Sequence, residues 1–440
     1  MTRTASRSLP LAVLFAVLAG GPAWAGNWPQ WRGPKGDGVS DETGLPLTWG
    51  NDANVVWKFP LAGPGSSSPV VWGDAVFLTI QEGDAVSLVK INAKTGQAEW
   101  TRKVGSGDTP RAAAVKPKNG DERRHQKFHD LQNLASPTPA TDGEVVVVHF
   151  GNGDLAAYDY AGKQLWLHNL QDDYGAYTIW WGHANSPIIY KDLVIDACMQ
   201  DSLTDLQNTP VESYLVAHDR RTGELKWKTV RKTEAKAEEC DAYTTPLLRT
   251  VGDRKEIVLM GGNQLDGYDP DTGKQLWFLQ GLVGGRTVTG PPLSDGLVFA
   301  TRGMKKPLIA VKPEGKGELP EKAIVWQTDK DTPDASSPVA WKGLLFLITD
   351  NAYAQCYDAK TGDQKWKEHL TGDYKPSPIA ADGRIYFLNR AGLCTVVAAS
   401  DKYEKLAANT LDGDTNASPA VANGRIYIRT SKALYCIGVK

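Results

Sequence analysis

Apolar residues in this chain come in short runs. Each run opens on a small residue followed by Pro, breaks at a polar pair such as Asp142-Gly143, and resumes in β-branched and aromatic residues. Short apolar runs bounded by turn residues predict β-strands. The opening recurs at Ser68-Pro69, Ser136-Pro137, Ser186-Pro187, Thr245-Pro246, Pro291-Pro292, Ser337-Pro338, Ser377-Pro378 and Ser418-Pro419, and the last intervals are 46, 40 and 41 residues.

A second marker lies between these openings. It is fullest at Ala217-His218-Asp219-Arg220-Arg221-Thr222-Gly223-Glu224-Leu225-Lys226-Trp227. A strand ends at the Asp, Gly supplies the positive φ that reverses the chain, and the next strand carries the Trp. The marker returns with Gly96 and Trp100, Gly162 and Trp166, Gly273 and Trp277, and Gly362 and Trp366. Each unit therefore reads as four strands. Eight such units, repeating every ~40–50 residues, predict an all-β fold, a single eight-bladed β-propeller of four-stranded antiparallel blades. The eighth unit has three strands before the chain ends, and Asn54-Val55-Val56-Trp57-Lys58 is a lone strand with the repeat's Trp. Trp57 is thus expected in the outer strand of blade eight, closing the ring and covering an open edge. Seven of the 15 Trp (Trp57, Trp100, Trp166, Trp227, Trp277, Trp326, Trp366) then share one structural position, while blade seven has Leu406 in that neighbourhood.

The Ala-x-Asp-x-x-Thr-Gly-x-x-x-Trp pattern resembles the pyrroloquinoline-quinone (PQQ) repeat, a family that includes quinoprotein alcohol dehydrogenases and BamB-like propellers of outer-membrane assembly. The opening Asn27-Trp28-Pro29-Gln30-Trp31-Arg32-Gly33-Pro34 resembles exported PQQ-like propellers. The resemblance spans about residues 27–440 and implies the quinoprotein-dehydrogenase-like fold. The repeat itself is structural and does not specify an activity.

Residues 1–25 read as a cleavable signal peptide. Arg3 and Arg7 precede an apolar core from Leu9 to Gly20, and Ala23-Trp24-Ala25 is a cleavage site after Ala25. The core is too short for a membrane span, which needs ~20 apolar residues. No Cys follows the cleavage site, so the lipid-anchor signature expected of BamB is missing. The expectation is a periplasmic or secreted monomer with no membrane span. Residues 26–53 form an extended arm whose Trp28, Trp31 and Trp49 pack on the propeller, and residues 54–440 form the propeller itself. Loss of Arg3 and Arg7 takes the net charge from −2 to −4. A mildly acidic chain without a basic stripe does not point to nucleic acid.

Of the five Cys, Cys356, Cys394 and Cys436 fall in strands and read as small buried hydrophobes. Cys198 and Cys240 flank loops of blade three, where a disulfide is one of two readings.

Departures from the repeat carry the functional information. In a four-stranded meander the connections between blades and between the second and third strands share one face. Residues 101–134, 171–183, 197–213 and 228–243 are insertions of those kinds, so they decorate one face over blades one to four. They bring together Tyr174, Tyr177, Trp180, Trp181 and His183 with Arg123, Arg124 and His129, aromatic and Arg side chains of the type that anchor binding patches. Trp180 and Trp181 have a second reading, as a plug of the central channel. Residues 311–325, on the other face, read as solvated. His125 and His129 share a helix face, but Arg123, Arg124 and Lys127 around them disfavour a metal.

Two function classes remain. One is a non-catalytic scaffold that binds a protein, peptide or glycan on the decorated face and needs no cofactor. The other, implied by the resemblance, is a PQQ- and Ca²⁺-dependent dehydrogenase, with Trp180-Trp181 stacking on the quinone and Glu239, Asp241 or Asp350 offering oxygen to calcium. The sequence has no adjacent Cys pair and no Cys-x-x-Cys-His for an attached haem.

Overall fold

The computed structural model describes residues 26–105, 131–204, 210–304 and 307–439. Residues 1–25, expected to be a signal peptide, and Arg123, Arg124, His125 and His129 lie outside the described residues. Among the described residues eight sheets follow one another along the chain, seven of four strands and one of five, each an antiparallel meander in sequence order apart from the last sheet and the fifth strand of blade four. That last sheet joins the three carboxy-terminal strands to Val55–Pro60, which pairs antiparallel with Ala433–Ile437 and sets Trp57 opposite Cys436. The ring is thereby closed by hydrogen bonds between the two ends of the chain. Among the described residues no helix is long and apolar enough to cross a membrane.

Burial explains the residue pattern strand by strand. Val145–His149, the second strand of blade two, is buried at every position, and the other second strands are buried except at their ends, because each blade is covered on both faces by its neighbours. The outermost strands are mostly exposed, and in Gln364–His369 only Trp366 is buried. The polar residues of these strands face water and the Trp faces the next blade.

The repeat hairpin has a direct physical account. Asp358 Oδ1 accepts the amides of Lys360 and Thr361 at 3.0 Å each, and Gly362 turns the chain at φ 77°. A Cβ on Gly362 would stand 2.6 Å from the Trp326 indole of the preceding blade. Glycine therefore serves both the turn and the docking of one blade on the next. The indole N–H completes the joint by donating to a carbonyl of the next blade, as in Trp326 to Ala359 (3.0 Å), Trp57 to Ala93 (2.8 Å) and Trp166 to Arg220 (3.1 Å). Trp277 differs and donates to Glu256 Oε2 at 3.0 Å.

Three details depart from the sequence expectation. Blade two begins at Thr138-Pro139, directly before its innermost strand Ala140–Thr141, rather than at Ser136-Pro137. In blade seven the repeat Trp position is held by Ala407, registered with Val396, rather than by Leu406. Residues 311–325 are not simply solvated: Gly317–Glu318 adds a parallel fifth strand to the outer edge of blade four, and Leu319 and Ala323 are buried. An otherwise open edge is covered.

The arm crosses one end of the ring. Trp28 pairs with Val71 in blade one, Pro29 accepts the Thr141 amide in blade two, and Val39 pairs with Ala380 in blade seven. Arg32, 2% exposed, donates to the carbonyls of Ser337 (2.8 Å) and Pro338 (2.6 Å) in blade six. Burial lowers its pKa to about 10.

Candidate functional site

The Ser/Thr-Pro openings converge on the central channel, where they form a hydrogen-bonded girdle. The amide of one opening residue donates to the hydroxyl of the next blade: Ser68 to Thr138 (3.0 Å), Thr138 to Ser186 (2.9 Å), Ser186 to Thr245 (3.1 Å), Ser337 to Ser377 (3.0 Å) and Ser377 to Ser418 (2.9 Å). In blade five Pro291 has neither the amide nor the hydroxyl, and Gly290 donates to Ser337 Oγ instead, at 2.8 Å. Above the girdle lies a cavity of about 280 Å³, rimmed by Trp181, Arg286, Asp334 and Lys375 and lined on one side by Trp31. Trp31 comes from the arm at the opposite end, and its ring is so close to Gly290 that a Cβ there would stand 3.0 Å away. It floors the channel.

The rim is braced by charge. Arg286 donates to Asp334 at 3.1 Å and Lys375 to Asp350 at 2.8 Å. The Trp181 indole N–H donates to Glu238 Oε1 at 3.1 Å, and its amide to the Tyr243 hydroxyl at 3.2 Å. Trp180 stands edge-on to Trp181, ring centroids 6.0 Å apart, with its amide held by Asp241 Oδ2 at 2.8 Å. Both indoles are half-buried.

The decorated-face residues thus separate. Trp181 reaches the mouth, and Trp180 stands beside it. Tyr177 and His183 are fully buried and present nothing to a partner. The connection carrying them folds inward after a short helix, Leu170–Tyr174, capped by Asn169, whose side chain accepts the amides of Gln171 and Asp172. The reason is apolar: Tyr177 and Ile179 fill the seam between blades two and three. Trp31, Arg286 and Lys375 were missed. Their positions two or five residues before a Pro-marked opening, or in the arm, carry no chemical signature in sequence.

The calcium candidates do not converge. Glu239 Oε2 accepts from Asn263 at 2.9 Å, Asp241 accepts the amides of Trp180 and Asp201, and Asp350 holds Lys375. Burial pushes the Asp241 carboxyl well above the usual carboxylate range. Among the described residues, the carboxylate that lines the cavity, Asp334, is committed to Arg286. These residues do not fit a calcium–quinone centre, which needs several oxygen donors around one ion. All five Cys are free and buried, so Cys198 and Cys240 are not paired.

A different cluster lies between blades two and three. His149 ends the second strand of blade two, Asp196 sits within Leu193–Cys198 of blade three, and His183 lies in the connection between them. His149 Nδ1 is 2.8 Å from Asp196 Oδ2 and 3.1 Å from His183 Nε2, and His149 Nε2 is 3.1 Å from the Tyr177 hydroxyl. The two imidazole centroids are 4.2 Å apart. Burial, then the neighbouring His149, lowers the His183 pKa well below the ordinary value. The sequence signal was a single His or Asp closing or interrupting an apolar run, Val145–His149 and Leu193–Cys198. It was legible only once the two strands were known to be neighbours.

Comparison with known proteins agrees with this architecture. The crystal structure of BamB from Moraxella catarrhalis superposes with a TM-score of 0.57 at 14% identity, covering 87% of this chain and 99% of that one. Quinohemoprotein alcohol dehydrogenase from Comamonas testosteroni gives 0.65 at 13% identity, covering 94% and 81%. At such identities the likeness is one of fold. A curated relative, outer membrane protein assembly factor BamB of Burkholderia pseudomallei (strain K96243), is 25% identical over 228 residues, which is 51% of this chain and 45% of that protein. The match therefore spans less than half of the relative's length. The profile described as outer membrane protein assembly factor BamB matches residues 39–203 and 318–413, more than half of the chain, and on that match the chain belongs to the BamB family of PQQ-repeat propellers.

Proposed function

We propose that this protein is a non-catalytic binding scaffold of the cell envelope, holding a protein or peptide segment at the open mouth of the channel as part of outer-membrane protein assembly. The observation that carries the reading is the inequality of the two ends. One end is crossed by the arm and floored by Trp31, while the other is an open mouth with an aromatic rim residue, Trp181, beside Arg286 and Lys375. A cavity of about 280 Å³ admits a protruding side chain or two rather than a folded domain, which suits an extended segment lying across the mouth. Aromatic and Arg side chains at the centre of a patch are the usual anchors. The family's name supplies the process, and the leader read at residues 1–25 supplies the compartment. No specific observation favours the dehydrogenase reading, because the candidate oxygen donors do not assemble.

The test compares the mature protein, Trp181→Ala, and a control carrying Lys316→Glu with Lys322→Glu on the other face. Binding to solubilised outer-membrane protein assembly machinery is measured, with melting temperatures checked in parallel. Trp181→Ala should weaken binding by ~10-fold or more, as expected when an anchor worth ~2 kcal/mol is lost. Weakening by the Lys316/Lys322 change alone, with all proteins folded, would show that the other face does the work.

A further inference from the structure

The contacts around His149 cannot be satisfied by separate hydrogen bonds. A ring nitrogen carries either one N–H or one lone pair. His149 Nδ1 nevertheless has two polar neighbours, Asp196 Oδ2 at 2.8 Å and His183 Nε2 at 3.1 Å. If Nδ1 is protonated and donates to Asp196, the bare Nε2 of His183 must share that one proton. If Nδ1 is bare and accepts from His183, its lone pair faces a carboxylate. All three residues are at most 1% exposed, so bulk solvent does not relieve either arrangement. Burial of a polar group without a proper partner is costly, and costlier for a charge.

We propose that His149, His183 and Asp196 bind a divalent transition-metal ion, zinc by donor type. The three donor atoms lie within 4.8 Å of one another, and two of the separations, 2.8 and 3.1 Å, are close to the spacing of neighbouring ligands ~2.0–2.2 Å from one ion. Two imidazoles and one carboxylate are borderline donors that suit zinc, and they offer too few oxygens for calcium. The outer nitrogen of His149 is placed as a metal-bound histidine requires: Nε2 faces the Tyr177 hydroxyl at 3.1 Å. Stacking of His183 on Tyr177, centroids 4.9 Å apart, fixes the second ring. A fourth position is left to water.

The ion's role is structural. Its ligands come from blade two, blade three and the connection between them, with Tyr177 of that same connection packed in the seam. Full burial leaves no approach for a substrate. The site thus pins the inter-blade connection that leads to Trp180 and Trp181 at the channel mouth.

The test starts from the whole mature protein, purified without a metal-affinity tag. Metal content is measured by mass spectrometry before and after chelation, followed by Co²⁺ titration read by ligand-field absorption. Expected results are one ion per chain, a tetrahedral Co²⁺ spectrum saturating at one equivalent, and a lower melting temperature after chelation. His183→Gln, which leaves Asp196 and the strand register in place, should lose the Co²⁺ signal and its sensitivity to chelator. If that variant does not fold, zinc-edge X-ray absorption on the parent protein decides, through the presence or absence of two imidazole ligands. A parent that takes up neither zinc nor Co²⁺, a His183→Gln protein that binds as the parent does, or an edge spectrum without imidazole would each overturn the site.

Discussion

The Trp49 indole stacks on the Tyr386 ring, centroids 6.3 Å apart and planes at 26°. Elsewhere the corresponding aromatic of the second strand meets the repeat Trp of its own blade, as Phe77 meets Trp100 (6.0 Å), Phe346 meets Trp366 (6.0 Å) and Tyr427 meets Trp57 (6.0 Å). Blade seven has Ala407 at that register. The arm supplies the missing ring, and the Trp49 amide is fixed by Asn409 Oδ1 at 3.0 Å. Trp49, 5% exposed, is therefore a core residue of a blade that lies more than 300 positions away in sequence. Trp49→Ala should destabilise by ~3–5 kcal/mol, as truncation of a buried Trp does. The unfolding midpoint in denaturant measures it, and an unchanged midpoint would mean that the arm is an accessory to blade seven.

The blade joint can be tested from both sides. Gly273 has φ 70°, and a Cβ there would stand 2.4 Å from the Trp227 ring. Gly273→Ala therefore incurs both a left-handed backbone penalty and a clash, for ~1–3 kcal/mol. Trp227 is only partly buried, so Trp227→Ala should fall toward the lower end of the ~3–5 kcal/mol range. In the double variant the indole's share of the clash is gone and only Thr229 Oγ1, 2.6 Å from such a Cβ, remains, so the summed effects should exceed the observed one. Strict additivity in a double-mutant cycle would argue that the indole does not seat on the glycine.

The fold was legible because the repeat writes each inter-blade joint into the sequence as Asp, Gly and Trp at fixed offsets. Closure by Trp57 was legible for the same reason. What was not legible lies between distant positions. Trp31 and Trp49 carry no periodicity that says which blade they enter. The 171–183 connection is rich in aromatics whether it covers a surface or fills a seam, and Tyr177 and His183 fill the seam. His149 and Asp196 each look like one polar residue in an apolar strand, and only the packing of blade two on blade three makes them a cluster.

Between blades three and four an ion pair is sealed from solvent. Arg231 and Asp266 have side chains 1% and 0% exposed, and Arg231 Nε donates to Asp266 Oδ2 at 2.9 Å. Gln264 and Gln275 also donate to Asp266 Oδ1, the latter at 2.7 Å. Removing one partner strands a buried charge, so Asp266→Ala should cost ~3–5 kcal/mol. Replacing both, as Arg231→Met with Asp266→Leu, should recover most of that loss, because the desolvation of two charges disappears with them. Thermal unfolding of the three variants is the measurement. A double variant as unstable as Asp266→Ala would place the value of the pair in its hydrogen-bond network.

Acid should weaken the propeller through His218. It is 1% exposed and stacks on His168, centroids 4.9 Å apart. Burial first, and repulsion from His168 second, lower its pKa to about 4. In the unfolded chain a histidine titrates near ~6.5. The folded pKa is the lower of the two, so the unfolded state takes up the proton first as pH falls. Stability is therefore full above about pH 6.5, declines between about 6.5 and 4, and levels off below that for this group. At ~1.4 kcal/mol per pH unit the decline attributable to His218 is at most ~3.5 kcal/mol. His183 titrates in the same sense, so the diagnostic is the difference between the parent and His218→Gln. The variant should show a shallower fall in melting temperature from pH 6.5 to 4, and its curve should approach the parent's at the acid end. Parallel curves across that window would mean that His218 is protonated in the fold at no cost, and that the seam around Trp166 and His168 is wetter than its packing suggests.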